Sequence, residues 1–135
     1  MPEADVDHIY DYPKGYIEDI LKSVETIAMV GASGDKTKFS YGVLRVLHET
    51  GYEMLPVNPN PSIKEIRGLK VFHSLKEIDE PVDMVQVFRR KEELLSVAKE
   101  AIEIKAKVLW GQIGVYDDEA AETAKKAGLK VIMNR

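Results

Sequence analysis

Hydrophobic positions along this chain follow two rhythms. Short apolar bursts at residues 26–30, 53–58, 82–88, 106–110 and 130–133 are nearly continuous, the pattern of strands buried on both faces. Between them apolar positions recur every third or fourth residue, the pattern of helices with one buried side. The clearest such stretch spans 91–105, where Leu94, Leu95, Ala98, Ala101 and Ile102 share a face. Helices are also predicted over 41–50 and 117–127, each followed by a glycine, Gly51 and Gly128, where a left-handed residue ends a helix. Ahead of the first burst, Tyr16, Ile17, Ile20 and Leu21 fall on one side of a short helix over 14–23, and the residues before it read as a loose arm.

The region between 53 and 82 is less regular. Pro56 cannot donate to a ladder, so its strand belongs at an edge or an irregular position. The turn residues Asn58-Pro59-Asn60-Pro61 stop that strand. Residues 63–69 read as a connecting loop or single turn and 70–72 as a short third strand. Ser74 reads as the N-cap of a short helix through Ile78, with Glu77 completing a capping box. Strand and helix alternate throughout, which calls for a parallel sheet covered on both faces. The expected fold is α/β: a three-layer doubly wound, Rossmann-like domain with a mainly parallel sheet of about five strands. It occupies 24–135, and 1–23 form an N-terminal arm and helix.

Composition narrows the function. With 135 residues, 44% hydrophobic and 31% charged, the chain has room for one core that needs neither disulfide nor metal. It has no cysteine, which excludes thiol nucleophiles and thiolate metal sites and fits a reducing compartment. No apolar run reaches the length of a membrane span, and the opening MPEADVDHIYDYPKG is acidic and aromatic where a secretory signal is basic then apolar. A cytoplasmic protein without membrane contact is expected. The net charge of -4 argues against nucleic-acid binding but leaves room for a local basic cluster that holds a small polyanion.

In a doubly wound sheet, ligands bind beyond the carboxyl ends of the strands, near the point where the strand order reverses. The segments brought there are 31–41, 58–61, 88–91 and 111–116. They carry glycines, Lys36, Lys38, Arg89, Arg90 and Lys91, with no histidine and almost no carboxylate. Such a crevice attracts an anion, with backbone N–H groups at the start of the helix from Tyr41 as fixed donors. The loop after the first strand reads VGASGDKTKFSYG. It is not a P-loop, because the Lys36-Thr37 pair comes too soon after Gly31 and Gly34, and it is not GxGxxG. The second strand ends in Asn58-Pro59 rather than in the acid that accepts ribose hydroxyls in dinucleotide sites. A longer loop with two lysines suits a ligand with more phosphate than a nicotinamide dinucleotide.

The succession VGAS, GYEMLPVNP, VDMVQVFRR and AKVLWGQIGV across 24–135 resembles the CoA-binding domain family, whose fold is shared with the N-terminal part of the succinyl-CoA synthetase alpha subunit. The resemblance implies coenzyme A or acyl-CoA as ligand, held by the VGAS turn, with Gly31, Ala32 and Ser33 near the diphosphate and Lys38 near phosphate. It also implies that Asn58 and Pro59 border the nucleotide and that Phe88 and Arg89 line the other side of the pocket. Gly34, Tyr41, Arg90 and Gln112 complete the candidate set.

Each residue also has a plainer role open to it. Gly31 and Gly34 shape a tight turn, Ser33 caps backbone donors, the lysines are solvated, and Asn58-Pro59 is an ordinary turn. Trp110 is expected in the core, while Gln112 reaches either the ligand or a subunit interface. Arg89 and Arg90 begin a helix, where cations oppose the dipole unless an anion or carboxylate compensates. His8, His48 and His73 are not placed with an acid and a nucleophile at a shared strand end, and Asp117-Asp118 complement the dipole of the helix they head, so no catalytic residue is assigned. The expected function is a small CoA-binding protein acting as sensor, carrier or partner module, as a homodimer or with a protein partner. The alternative is an NAD(P)-dependent oxidoreductase or a CoA-transferring enzyme with a partner-supplied catalytic group. Tyr10, Tyr12 and Tyr16 either make a dimer contact or cover the crevice.

Overall fold

The computed structural model of the chain describes residues 12–135. In chain order the elements are α1 (Tyr16–Ser23), β1 (Thr26–Val30), α2 (Phe39–Thr50), β2 (Glu53–Val57), β3 (Glu65–Ile66), β4 (Leu69–Lys70), β5 (Met84–Val87), α3 (Leu94–Glu103), β6 (Val108–Gly111), α4 (Asp118–Lys126) and β7 (Lys130–Ile132). A five-stranded sheet pairs in the order β2-β1-β5-β6-β7, every pair parallel. Successive side chains of a strand point to opposite faces, so strands apolar at every position need cover above and below. Ile27 and Met29 of β1 meet Ile20 of α1 and Leu44 of α2, whereas Ala28 joins Leu94, Ala98 and Ala101 of α3 and Ala120 of α4. Adjacent strands repeat the division, with Met84, Val108 and Ile132 on the first face and Val85, Leu109 and Val131 on the second. This is the expected three-layer Rossmann-like arrangement, and Trp110 is buried in it as anticipated. No helix among the described residues is long and apolar enough to cross a membrane.

The edge position of β2 suits Pro56. Its carbonyl faces outward and accepts from the Phe72 N–H at 2.9 Å, and the Asn58 N–H donates to the Phe72 carbonyl at 2.9 Å, so the missing proline donor lies on the outer side of the sheet. Residues 63–69 are not a plain loop. Glu65 pairs with Lys70 and Ile66 with Leu69 in an antiparallel hairpin, turned by Arg67 and Gly68 at φ 53° and 79°. Two positive φ values make the tight turn that matches strand twist, and Arg-Gly lacks the Asn or Asp that usually announces it. The predicted strand over 70–72 shrinks accordingly to Leu69–Lys70 and a single parallel bridge between Val57 and Phe72.

Caps follow the sequence with small shifts. Ser74 heads one 3-10 turn, Leu75–Glu77, its hydroxyl accepting from the Lys76 N–H, while the Glu77 carboxylate reaches the His73 N–H at 3.0 Å instead of closing a box on Ser74. The helix predicted from residue 91 opens as a 3-10 turn over Lys91–Glu93 before α3 begins. Asp117 caps α4 by accepting from the Ala120 N–H at 2.9 Å, with Asp118 and Glu119 in the first turn, the stabilising role expected of acids there.

At the amino ends of the strands, Asp83 Oδ2 accepts from the Glu25 and Thr26 N–H groups at 2.8 and 3.1 Å, and Lys107 lies 3.5 Å from Oδ1. Burial works against the charged carboxylate, but these donors and Lys107 outweigh it and hold its pKa below the ordinary value. A depressed folded pKa gives stability that is complete above the unfolded value, about 3.9, and is lost as pH falls through the folded one. Asp83→Ala is expected to cost about 2 kcal/mol at pH 7 and to remove part of the stability loss below about pH 4. Urea unfolding at pH 7 and pH 3 measures both effects.

Candidate functional site

From β1 the chain crosses to β2 at one edge, and from β5 it runs to β6 and β7, so the order reverses between β1 and β5. The chain leaving β1 passes to α2 on one face and the chain leaving β5 to α3 on the other. A cavity of about 320 Å³ opens at this point, lined by Gly31, Ala32, Ser33, Lys38, Phe39, Ser40, Asn58, Phe88 and Arg89. Seven of the predicted residues therefore converge: Gly31, Ala32, Ser33, Lys38, Asn58, Phe88 and Arg89. Pro59 lies in an adjoining cavity of about 380 Å³ on the α3 side, where Arg89 is the shared wall.

Gly31 is the pivot. At φ 93° a Cβ on it would sit 2.5 Å from the Phe88 carbonyl oxygen, so only glycine lets the two strand ends pass this closely. The N–H groups of Gly31 and Ala32 donate to the Val57 carbonyl at 3.0 and 3.2 Å, tying the start of the loop to the end of β2. Asn58 is committed too. Its Nδ2 donates to the Ala32 carbonyl at 2.8 Å and its Oδ1 accepts from the Asn60 N–H at 2.9 Å, tying the end of β2 to the loop. The remainder of the loop is built from local side-chain turns: Ser33 Oγ accepts from the Asp35 N–H, and Asp35 accepts from both the N–H and the hydroxyl of Thr37. Those Thr37 bonds, with Lys38 nearby, keep the Asp35 carboxyl below its usual pKa.

The helix α2 begins at Phe39, two residues before the expected start at Tyr41. Its orphan donors are consequently the N–H groups of Phe39 and Ser40, because the Tyr41 N–H already bonds the Lys38 carbonyl at 3.1 Å. Tyr41 instead packs its ring beneath the Arg67 guanidinium, 5.9 Å away. Phe39 and Ser40 are the lining residues that sequence reasoning missed, and the cause was that late helix start. Lys38 occupies the N-cap, where a cation opposes the dipole and the side chain caps nothing. No ion pair of Lys38 occurs among the described residues.

Arg89 and Arg90 find their compensation inside the protein. Arg89 donates from Nε and Nη2 to Glu93 Oε1 at 3.0 and 2.8 Å, and Arg90 lies 3.4 Å from the other oxygen. These bonds, led by that from Arg89, hold the Glu93 carboxyl below its usual pKa. The exposed Arg90, Gly34 and the buried Gln112 do not line the cavity. Gln112 is held in the turn after β6, its N–H on the Val87 carbonyl and its carbonyl taking the Val115 N–H. Tyr12 and Tyr16 stack at 5.3 Å and bond the Met133 N–H and the Val131 carbonyl, so they serve the β7 edge and not the crevice. Tyr10 and His8 lie outside the described residues. A larger open groove, about 720 Å³, sits at the amino ends of the strands. Glu18, Glu25 and Glu53 line it against the single cation Lys22, and nearby Glu80 has its pKa raised by its hydrogen bond to Glu53, a setting with a net negative balance.

The sequence pattern of the CoA binding domain matches residues 25–135. The chain belongs to the CoA-binding domain family. This CoA-binding domain is 44% identical to the uncharacterized protein YneT of Bacillus subtilis over 121 residues, 90% of this chain and 88% of that one. A hypothetical protein from Pyrococcus horikoshii shares the fold with a TM-score of 0.88 and 33% identity, over 94% of this chain and 88% of its own. The alpha subunit of acetate–CoA ligase (ADP-forming) I from Pyrococcus furiosus is 29% identical over 128 residues, 84% of this chain but only 28% of that subunit. The CoA-binding domain thus corresponds to one part of a larger ligase subunit.

Proposed function

We propose that this domain binds coenzyme A or an acyl-CoA at the carboxyl ends of β1, β2 and β5 and acts as a sensor, carrier or partner module. The observation that carries the reading is a cavity at the sheet's reversal point that is lined by Lys38 and Arg89 and by no carboxylate. The diphosphate meets the first N–H groups of α2 and the Ser33 hydroxyl, with Lys38 supplying charge and Arg89, paired with Glu93, forming the facing wall. Gly31, Ala32 and Asn58 act by shaping the loop. The binding unit is residues 24–135, against which α1 packs through Ile20. Kinship with part of a ligase alpha subunit supports a protein partner that brings any catalytic group. A dinucleotide fits less well, because β2 is followed by Asn58, whose amide is already engaged at both ends and supplies no acid for a ribose.

Thermal unfolding with CoA, acetyl-CoA, NAD and NADP tests this. A ligand at a hundred times its Kd stabilises the folded state by about 2.7 kcal/mol. That raises the Tm of a domain this size by roughly 5 to 10 °C. CoA or acetyl-CoA should give the shift, and a shift with NADP alone would reject the proposal.

A further inference from the structure

Phe39 is an odd residue for its position. It stands at the first turn of α2 on the cavity rim, 65% exposed, one of three large apolar side chains left so open among the described residues. Its ring lies 6.1 Å from that of Phe88, tilted by 55°, and Phe88 lines the same cavity. An apolar pair therefore flanks the place where the Phe39 and Ser40 N–H groups and Lys38 gather for an anion. Exposed aromatic surface at such a point is favourable only if something apolar covers it.

The chemistry of the flanking groups decides what that is. In a dinucleotide the diphosphate carries a ribose on both sides, so both neighbours are polar. In coenzyme A it carries a ribose on one side only, and on the other the branched aliphatic head of the pantetheine arm, whose gem-dimethyl carbon is separated from the phosphate ester oxygen by a single CH2. We infer that Phe39, backed by Phe88, is the specificity-determining surface that receives this gem-dimethyl head, and that it selects CoA over dinucleotides and plain nucleotides. The inference rests on the proposed CoA site and adds the orientation of the ligand, with the pantetheine head toward Phe39 and the ribose turned away from it.

Isothermal titration of wild type and Phe39→Ala with CoA, 4′-phosphopantetheine and ADP separates the possibilities. Burial of two methyl groups accounts for about a tenfold change in affinity. The variant should therefore bind CoA and 4′-phosphopantetheine about tenfold more weakly, ADP within twofold of wild type, and Phe39→Leu should recover most of the loss. Because Phe39 is largely exposed, the Tm of the free protein should stay within a few degrees, which confirms that a loss is not unfolding. Unchanged CoA affinity in Phe39→Ala, or an ADP loss as large as that of 4′-phosphopantetheine, overturns the inference while leaving the CoA site intact. If wild type binds no CoA, the functional proposal itself is what fails.

Discussion

Gly31→Ala is expected to lose about 3 kcal/mol of stability, combining a left-handed backbone that alanine resists with a close contact that cannot relax cheaply. The added Cβ would sit 2.5 Å from the Phe88 carbonyl oxygen, 2.9 Å from its carbon and 3.1 Å from Arg89 Cδ. Two of these atoms are backbone, so relief requires β1 and β5 to part at their carboxyl ends. That motion would also break the Phe88 N–H bond to the Val30 carbonyl, 2.8 Å in the native chain. A fall in Tm of roughly 10 °C follows for a domain of this length. Ligand binding should go with it, because the same residues line the cavity. Gly34→Ala is the control. Its nearest neighbour would be Ile66 Cγ1 at 3.9 Å and its φ is not in the left-handed region, so its stability should change by less than about 1 kcal/mol. Equal losses in the two variants would show that the close approach at Gly31 is not what constrains the loop.

Lys38→Asp should move stability and binding in opposite directions. Lysine at an N-cap is a poor choice for the helix, since its charge opposes the dipole and it offers no acceptor to the first N–H groups. Aspartate supplies both an acceptor and the favourable charge, and is expected to stabilise the protein by about 1 kcal/mol. At the proposed site the same change replaces a cation with a negative charge beside the phosphates, so CoA affinity should fall about a hundredfold. A residue that costs stability at the proposed ligand site fits a trade between stability and function. Chemical denaturation and isothermal titration read the two quantities separately. Affinity within threefold of wild type would remove Lys38 from the site.

Much of the fold was legible because it depends on local rules. Bursts of apolar residues marked all five strands of the main sheet, and the glycines at 51 and 128 marked two helix ends. Pro56 pointed to an edge strand because a missing donor has the same consequence in any parallel sheet. The β3–β4 hairpin escaped, since each strand has two residues, too few for a period to register, and its turn is Arg-Gly.

The candidate site was legible by region and less so by residue. Topology places the ends of β1, β2 and β5 together, so their loops could be named from the strand pattern. Which groups face the cavity depends on how each backbone polar atom is satisfied, and that is settled between segments far apart in the chain. Gly31 and Ala32 spend their N–H groups on Val57, Asn58 spends its amide on Ala32 and Asn60, and Arg89 spends its guanidinium on Glu93. Taken alone, the sequence determined a parallel α/β sheet with a glycine-rich, lysine-bearing loop at its reversal point, because strand periodicity and turn chemistry act over a few residues. Only the tertiary structure decided that Gly31 is a structural pivot, that the free donors belong to Phe39 and Ser40, and that an exposed ring stands beside them. Those outcomes depend on distances and hydrogen bonds across the fold, which no local pattern encodes.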